Sequence, residues 1–228
     1  MSGHRHGTGP EHDFEPEPGL PEPLPSGERL LWQGAPEWRG LARRAFHVRK
    51  LAVYFGTIAA AHAAARLAQG ATPGEVLVST LWLTGFALLA MGILALMAYL
   101  SARTTVYTVT DRRVVMRIGI VLTMTFNLPY RSIDSAGLRL FADGAGDLPL
   151  VLKAGEKIAF VHLWPHARPW RLAHPEPMLR CVPDAARVAR IVADAWSQAT
   201  GGVAHPVAAP AAPHDANHRD AQPALAGR

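Results

Sequence analysis

The chain has 228 residues, 49% of them hydrophobic and 18% charged, and a formal net charge of +5; it is apolar for a soluble protein and long enough for one large domain or two small ones. Its one cysteine, Cys181, excludes an internal disulfide and any site built from several thiolates, so the fold does not need an oxidising compartment. A positive balance suits nucleic acid, but the positions of the basic residues assign them to a different partner.

Residues 1–27, "MSGHRHGTGPEHDFEPEPGLPEPLPSG", lack the apolar stretch of a signal peptide and read as a disordered tail. Residues 28–50 carry "ERLLWQGAPEW" and then a basic belt of Arg39, Arg43, Arg44, Arg49 and Lys50. Leu51 to Gln69, "LAVYFGTIAAAHAAARLAQ", reads as a first transmembrane helix, weakened by its alanines and interrupted by His62 and Arg66. Arg66 lies close enough to one end to snorkel, and Tyr54 and Phe55 sit near the opposite boundary. "GATPGE" supplies the glycine and proline of a tight connection. Val76 to Leu100 then runs without a charge, and as a helix of about 37 Å it outspans a hydrocarbon core of about 30 Å.

Together the two segments, 51–69 and 76–100, predict a helical hairpin. Arg103, Arg112, Arg113 and Arg117 follow it, while the short connection carries no lysine or arginine beyond Arg66, so the positive-inside rule places both termini in the cytoplasm. The belt, Arg103 included, also attracts anionic lipid headgroups, at about 1 kcal/mol per residue near the surface. No nucleic-acid partner is needed to explain the charge.

Past Leu100 the pattern changes from helical to alternating. "TVYTVT", "RRVVMRIGI", "VLTMTFNLPY", "SAGLRLFA", "LPLVLKAG" and "KIAFVHLW" predict an antiparallel meander broken at Asp111, Gly119, Pro129, the 143–146 cluster and Gly155. "PDAARVARIVADAW" opens a helix at Pro183 and Asp184 whose apolar face, Val188, Ile191, Val192 and Ala195, should cover the open end of the sheet. The expected fold class is therefore an α+β membrane protein: a transmembrane hairpin plus a cytoplasmic antiparallel barrel or sandwich over 101–198, closed by an amphipathic helix in the order of a pleckstrin-homology (PH) domain. Residues 199–228 read as a second disordered tail, and six of the eleven histidines fall in the two tails, as solvated composition rather than ligands.

"GERLLWQGAPEW" before the hairpin and "YTVTDRRVVMRIGI" after it resemble the membrane-anchored bacterial PH-like proteins, in which a tryptophan-glycine-proline segment precedes the spans and a Tyr-x-x-Thr-x-Arg-Arg strand opens the barrel. More narrowly, "NLPYRSIDSAGLRL" and above all "HLWPHARPWRLAHPEPMLRCVPDAARVA" resemble the PuhB family of photosynthetic complex assembly proteins of purple phototrophic bacteria, over roughly Phe14 to Trp196. That resemblance implies a non-catalytic factor that helps build or stabilise the reaction centre with its core light-harvesting antenna, whose subunits would be its partners, in the inner or intracytoplasmic membrane.

The stretch from His162 to Pro177 holds the candidate site. His162 and His166 have the spacing of two zinc ligands on a helix, but Pro165 and Pro169 oppose a helix there and no carboxylate occurs between Val161 and Pro175, so no metal site is assigned. With no nucleophile elbow, phosphate-cradling loop or paired acids beside these histidines, no catalytic residue is assigned either. A stiff, extended strip bearing His162, Trp164, His166, Arg168, Trp170 and Arg171 instead suits partner binding, because tryptophan and arginine dominate binding hot spots and proline limits the entropy lost on docking. The alternative buries both indoles beneath the terminal helix.

His62 admits two readings: magnesium ligation of a bacteriochlorophyll among small alanines, or a hydrogen bond to the neighbouring helix. The alanine-rich first span also offers a face for a homodimer. Two rivals stand beside the assembly role, a PH-like lipid- or protein-binding module without a photosynthetic function and a metal-dependent enzyme using His162 and His166.

Overall fold

The structure is a computed structural model that describes residue 20 and residues 23–153, 158–172 and 174–202. The C-terminal tail expected at 199–228 lies outside the described residues from 203 onward, as does most of the N-terminal tail.

Two helices, α2 (Val48–Ala68) and α3 (Pro73–Thr104), pack as an antiparallel hairpin, with α1 (Trp38–Arg44) before them. A capping box starts α3: Thr72 Oγ1 accepts from the Glu75 amide at 3.4 Å and a Glu75 carboxylate oxygen accepts from the Thr72 amide at 2.9 Å, with Pro73 in the first turn. Both long helices are apolar and long enough to cross a membrane. Neither has a polar stripe, and Leu77, Leu81, Trp82, Phe86, Leu89 and Ile93 of α3 are all exposed, an all-round apolar surface that water does not favour.

Helix α3 runs past the predicted Leu100 to Thr104, because its last turns pack on the folded domain: Ala98, Ser101 and Ala102 are buried. A single residue, Thr105, separates it from β2 (Val106–Thr110). The first sheet has the order β1-β2-β3-β4, from β1 (Leu30–Gly34), β2, β3 (Arg113–Ile118) and β4 (Met124–Pro129), all antiparallel neighbours. Strand β1 was not foreseen: residues 30–34 pair with β2, so the segment ahead of the hairpin completes the sheet that follows it.

A 3-10 turn (Tyr130–Ser132) leads to the second sheet, in which β5 (Ile133–Ala136) and β6 (Arg139–Leu140) line one edge of β7 (Gly146–Leu152) and β8 (Met178–Val182) lines the other. The last predicted strand, "KIAFVHLW", is not one. Its described part turns into a single helical turn, α4 (Phe160–Leu163), which drops Leu163 into the core and stops at the extended residue before Pro165; Lys157 lies outside the described residues. The eighth strand comes from "MLRCV", where all five residues are buried and Arg180 interrupts the apolar pattern that would have announced it.

Helix α5 (Ala185–Thr200) closes the two sheets as predicted, burying Val188, Val192 and Ala195 against Tyr107, Val109, Met116, Leu148, Leu150 and Leu179, with Ile191 half-buried beside them. Its Trp196 indole donates to the Ile133 carbonyl at 3.2 Å. A second, smaller cluster joins α1 to the end of α3 and to β8 through Leu41, Phe46, Ala98, Ala102 and Cys181. Here a side chain at Gly40 would meet Cys181 Cβ at 2.9 Å and Sγ at 3.0 Å. Gly40→Val should therefore lift α1 from β8, cost about 1–3 kcal/mol in thermal unfolding, and open the buried Cys181 thiol to maleimide labelling.

Candidate functional site

The predicted site residues divide into an interior set and an exterior set where α3 enters the sheet domain. His166 belongs inside. It is fully buried, its Nδ1 lies 2.6 Å from Tyr107 Oη, and its Nε2 lies 3.1 Å from Thr105 Oγ1 and 3.4 Å from Ser101 Oγ. Tyr107 Oη also accepts from the Arg180 amide at 3.1 Å, so its own proton goes to Nδ1, and Nε2–H faces the threonine and serine hydroxyls. Burial, reinforced by the Arg180 charge, pushes the imidazole down to about 3, so it is neutral under ordinary conditions. Burial likewise raises the Tyr107 phenol well above its usual range.

This network joins the last turn of α3 to β2, β8 and the α4 loop, and Arg180 extends it, its guanidinium donating to the Pro165 carbonyl at 2.9 Å and the Arg44 carbonyl at 3.4 Å. Asp147 adds a further tie by accepting from the Cys181 amide at 2.8 Å. The partner-binding role expected of His166 is thus corrected: its polar atoms face other residues of this chain. Ser101, Thr105, Tyr107 and Arg180 were not singled out by sequence, since only tertiary proximity connects them.

The remaining strip residues lie outside, though not as a straight strip. His162 is exposed on α4. Trp164 is 55% exposed and meets Phe46 edge-on at 5.3 Å, while Trp170 is 94% exposed with φ at 64°. Neither indole packs under α5. The loop folds back through a bridge between Ala167 and Pro177, and Arg168 and Arg171 close on Glu176 at 2.6 and 3.4 Å. These two arginines, expected to contact a partner, also clamp the loop; Glu176→Ala should cost about 1–2 kcal/mol and speed proteolysis between Pro169 and Pro175. His162 and His166 do not share a face, and the described residues contain no group of three or more metal-ligating side chains.

Arg39, Arg43, Arg49, Lys50 and Arg103 are exposed around the hairpin's domain end, with Arg103 over the Tyr99 ring at 5.8 Å and Arg39 near Trp38. Arg44 is turned away from that surface: it pairs with Asp143 at 2.7 Å and lies 3.7 Å above the Phe141 ring. Arg112 and Arg113, counted as flanks of the hairpin, sit at the opposite end of β2, about 17 Å along the strand, where Arg113 pairs with Glu28 at 2.7 Å. His62 Nε2 lies 3.1 Å from Ser79 Oγ on α3, which is the interhelical bond rather than a ligand pointing into open space.

Residues 53–196 match the bacterial PH domain family, a range that takes in most of α2, all of α3, strands β2 to β8 and most of α5, while β1 lies ahead of it. The chain belongs to the bacterial PH domain family. It is also 39% identical over 204 residues, 89% of its length and 94% of the relative's, to a Rhodobacter capsulatus protein described as the uncharacterized 23.7 kDa protein in the puhA 5' region. That relationship bears out the kinship to the PuhB proteins read from the sequence. Among solved structures it is similar to a pleckstrin-homology-domain protein of the DUF1696 family from Shewanella loihica, with a TM-score of 0.26 and 14% identity, over 40% of this chain and 69% of that one. For this bacterial PH domain chain, sequence and structure agree on an antiparallel sheet domain closed by a C-terminal helix.

Proposed function

We propose that this protein is a non-catalytic assembly factor for the photosynthetic reaction centre and its core light-harvesting antenna, held in the bacterial inner or intracytoplasmic membrane by α2 and α3 with both termini cytoplasmic. The observation that carries the reading is the 39% identity, over nearly the whole of both chains, to the Rhodobacter capsulatus protein in the puhA 5' region. The geometry is compatible with it: a sheet domain joined to the hairpin through one residue and braced by His166 keeps its orientation relative to the helices. Holding such a domain beside embedded clients raises their effective concentration without any chemistry. The alanine-rich α2, none of whose residues is buried, offers a face to client helices or to a second copy.

Deleting the gene tests the reading. Membranes of the deletion strain should lose reaction-centre absorbance and reaction-centre subunits, and a plasmid copy of this chain should restore both. Normal levels of absorbance and subunits in the deletion strain would remove the assembly role and leave a membrane-anchored PH-like binding module.

A further inference from the structure

Two loops that are far apart in sequence expose apolar side chains at the same end of the sheet domain. In the register of β2 with β3, Val106 faces Arg117, so the chain leaves β3 beside the point where β2 emerges from α3. The turn from β3 to β4 therefore projects at the hairpin end, and its Val121 and Leu122 are 89% and 82% exposed. Gly119, with φ at 127° and the Leu122 carbonyl where a Cβ would stand, lets this turn close tightly while the two side chains face outward.

The second loop is placed by its own contacts. His166 reaches Ser101 in the last turn of α3, and Trp164 rests on Phe46, two residues before α2 begins. Four residues carry Trp170 no farther than about 14 Å from His166. Val161 and Leu172, like Trp164 and Trp170, are more than half exposed. Nothing in the described chain covers either loop, and Trp170 keeps a left-handed backbone with almost no contact of its own.

We propose that these loops are a second, peripheral membrane anchor: Val121 and Leu122 from one side, and Val161, Trp164, Trp170 and Leu172 from the other, enter the lipid interface of the bilayer that the hairpin crosses. The proposal rests on the reading of α2 and α3 as membrane spans. Lipid is favoured over a protein client by continuity and charge. Helix α3, at about 48 Å, exceeds the hydrocarbon core by some twelve residues, which puts its Tyr99-to-Thr104 end at headgroup depth, level with both loops. Exposed Arg39, Arg43, Arg49, Lys50 and Arg103 surround the same end, and tryptophan is the side chain most suited to that boundary. Because the hairpin already holds the domain at the surface, insertion needs no new encounter.

The test uses the full chain in proteoliposomes of phosphatidylcholine and phosphatidylglycerol, with a polarity-sensitive fluorophore on single introduced cysteines; native Cys181 is buried. Leu122→Cys and Trp170→Cys report on the loops, Arg112→Cys on the far end of β2, and Gly85→Cys on the middle of α3. Nitroxide lipids spin-labelled near the headgroup should quench the probes at 122 and 170 by more than half, shift their emission to the blue, and leave the probe at 112 unchanged. Emission at 122 and 170 as water-exposed as at 112 would overturn the proposal, and so would protection that arises only when reaction-centre or antenna subunits are added, which would identify a client surface. Deep-labelled lipid quenching at 85 reports spanning by itself, so failure of the loop anchor stays distinct from failure of the hairpin reading, and neither result depends on the photosynthetic role.

Discussion

Leucine in place of His166 should destabilise the sheet domain by about 3 kcal/mol, although the two side chains have similar volumes. The imidazole accepts the Tyr107 hydroxyl proton on one side and faces the Thr105 and Ser101 hydroxyls on the other, all in a site closed to water. Leucine removes both functions and leaves buried hydroxyls without partners, which costs more than the lost bonds themselves contribute. Glutamine, which can accept from Tyr107 and donate to Thr105, should recover part of the loss. Tyr107→Phe alone should also be costly, because it strands the Arg180 amide as well as His166 Nδ1. The double variant Tyr107→Phe/His166→Leu should lose clearly less than the sum of the two, as groups in one network do. Denaturant unfolding in detergent, followed by tryptophan fluorescence, measures all four; additive losses would show that the two residues are not coupled.

The elements that obeyed a single period were legible before folding. Two long apolar runs declare the hairpin, alternation declares β2, β3 and β4, and the Val188, Ile191 and Val192 face declares α5. What stayed hidden was hidden by mixed demands on one segment. Strand β8 carries Arg180 in its middle because the guanidinium is needed to hold the Pro165 and Arg44 carbonyls, and that one charge erases the apolar run. "KIAFVHLW" looks like a strand because it is apolar, yet Pro165 forces an extended predecessor and the chain spends the preceding residues turning.

The site was legible in its composition and not in its division of labour. Proline, tryptophan, histidine and arginine between His162 and Pro177 marked the region, but only the fold separates His166, aimed inward at Ser101 and Tyr107, from Trp164 and Trp170, aimed outward. Opposite charges eight and five residues apart, Arg168 and Arg171 with Glu176, were readable in principle as a loop clamp. Ser101 and Thr105 gave no local signal at all, because their role depends on a partner more than sixty residues away.

The same imidazole sets how stability depends on pH. Unfolded, His166 takes up a proton near its ordinary value of 6.5; folded, it does so only near about 3, because burial, aided by the Arg180 charge, disfavours the cation. Between those values the unfolded chain binds more protons than the folded one, so stability is full above about pH 6.5 and falls as the pH drops toward 3, by up to about 1.4 kcal/mol per pH unit from this group. At the alkaline side, burial beside Asp147 pushes the Cys181 thiol from 9.0 to about 11, so there the folded chain keeps its proton longer and stability declines as the pH rises through that window. The phenol facing His166 leaves its slope intact, because burial raises Tyr107 and keeps it protonated throughout. Asp111 and Asp143, whose carboxyls are held below their usual range by hydrogen bonds from Arg29 and Arg44, add losses of their own as the pH falls through 3.8, at the acidic end of the same window. Unfolding free energies of the full chain and of His166→Gln, measured from pH 8 down to 4 in the same detergent, isolate the histidine as a difference. The gap between them should narrow steadily below about pH 6.5, since glutamine has no proton to gain. A gap that stayed constant across that range would mean that His166 is solvated in the folded protein, and the buried strut between α3 and the sheets would have to be abandoned.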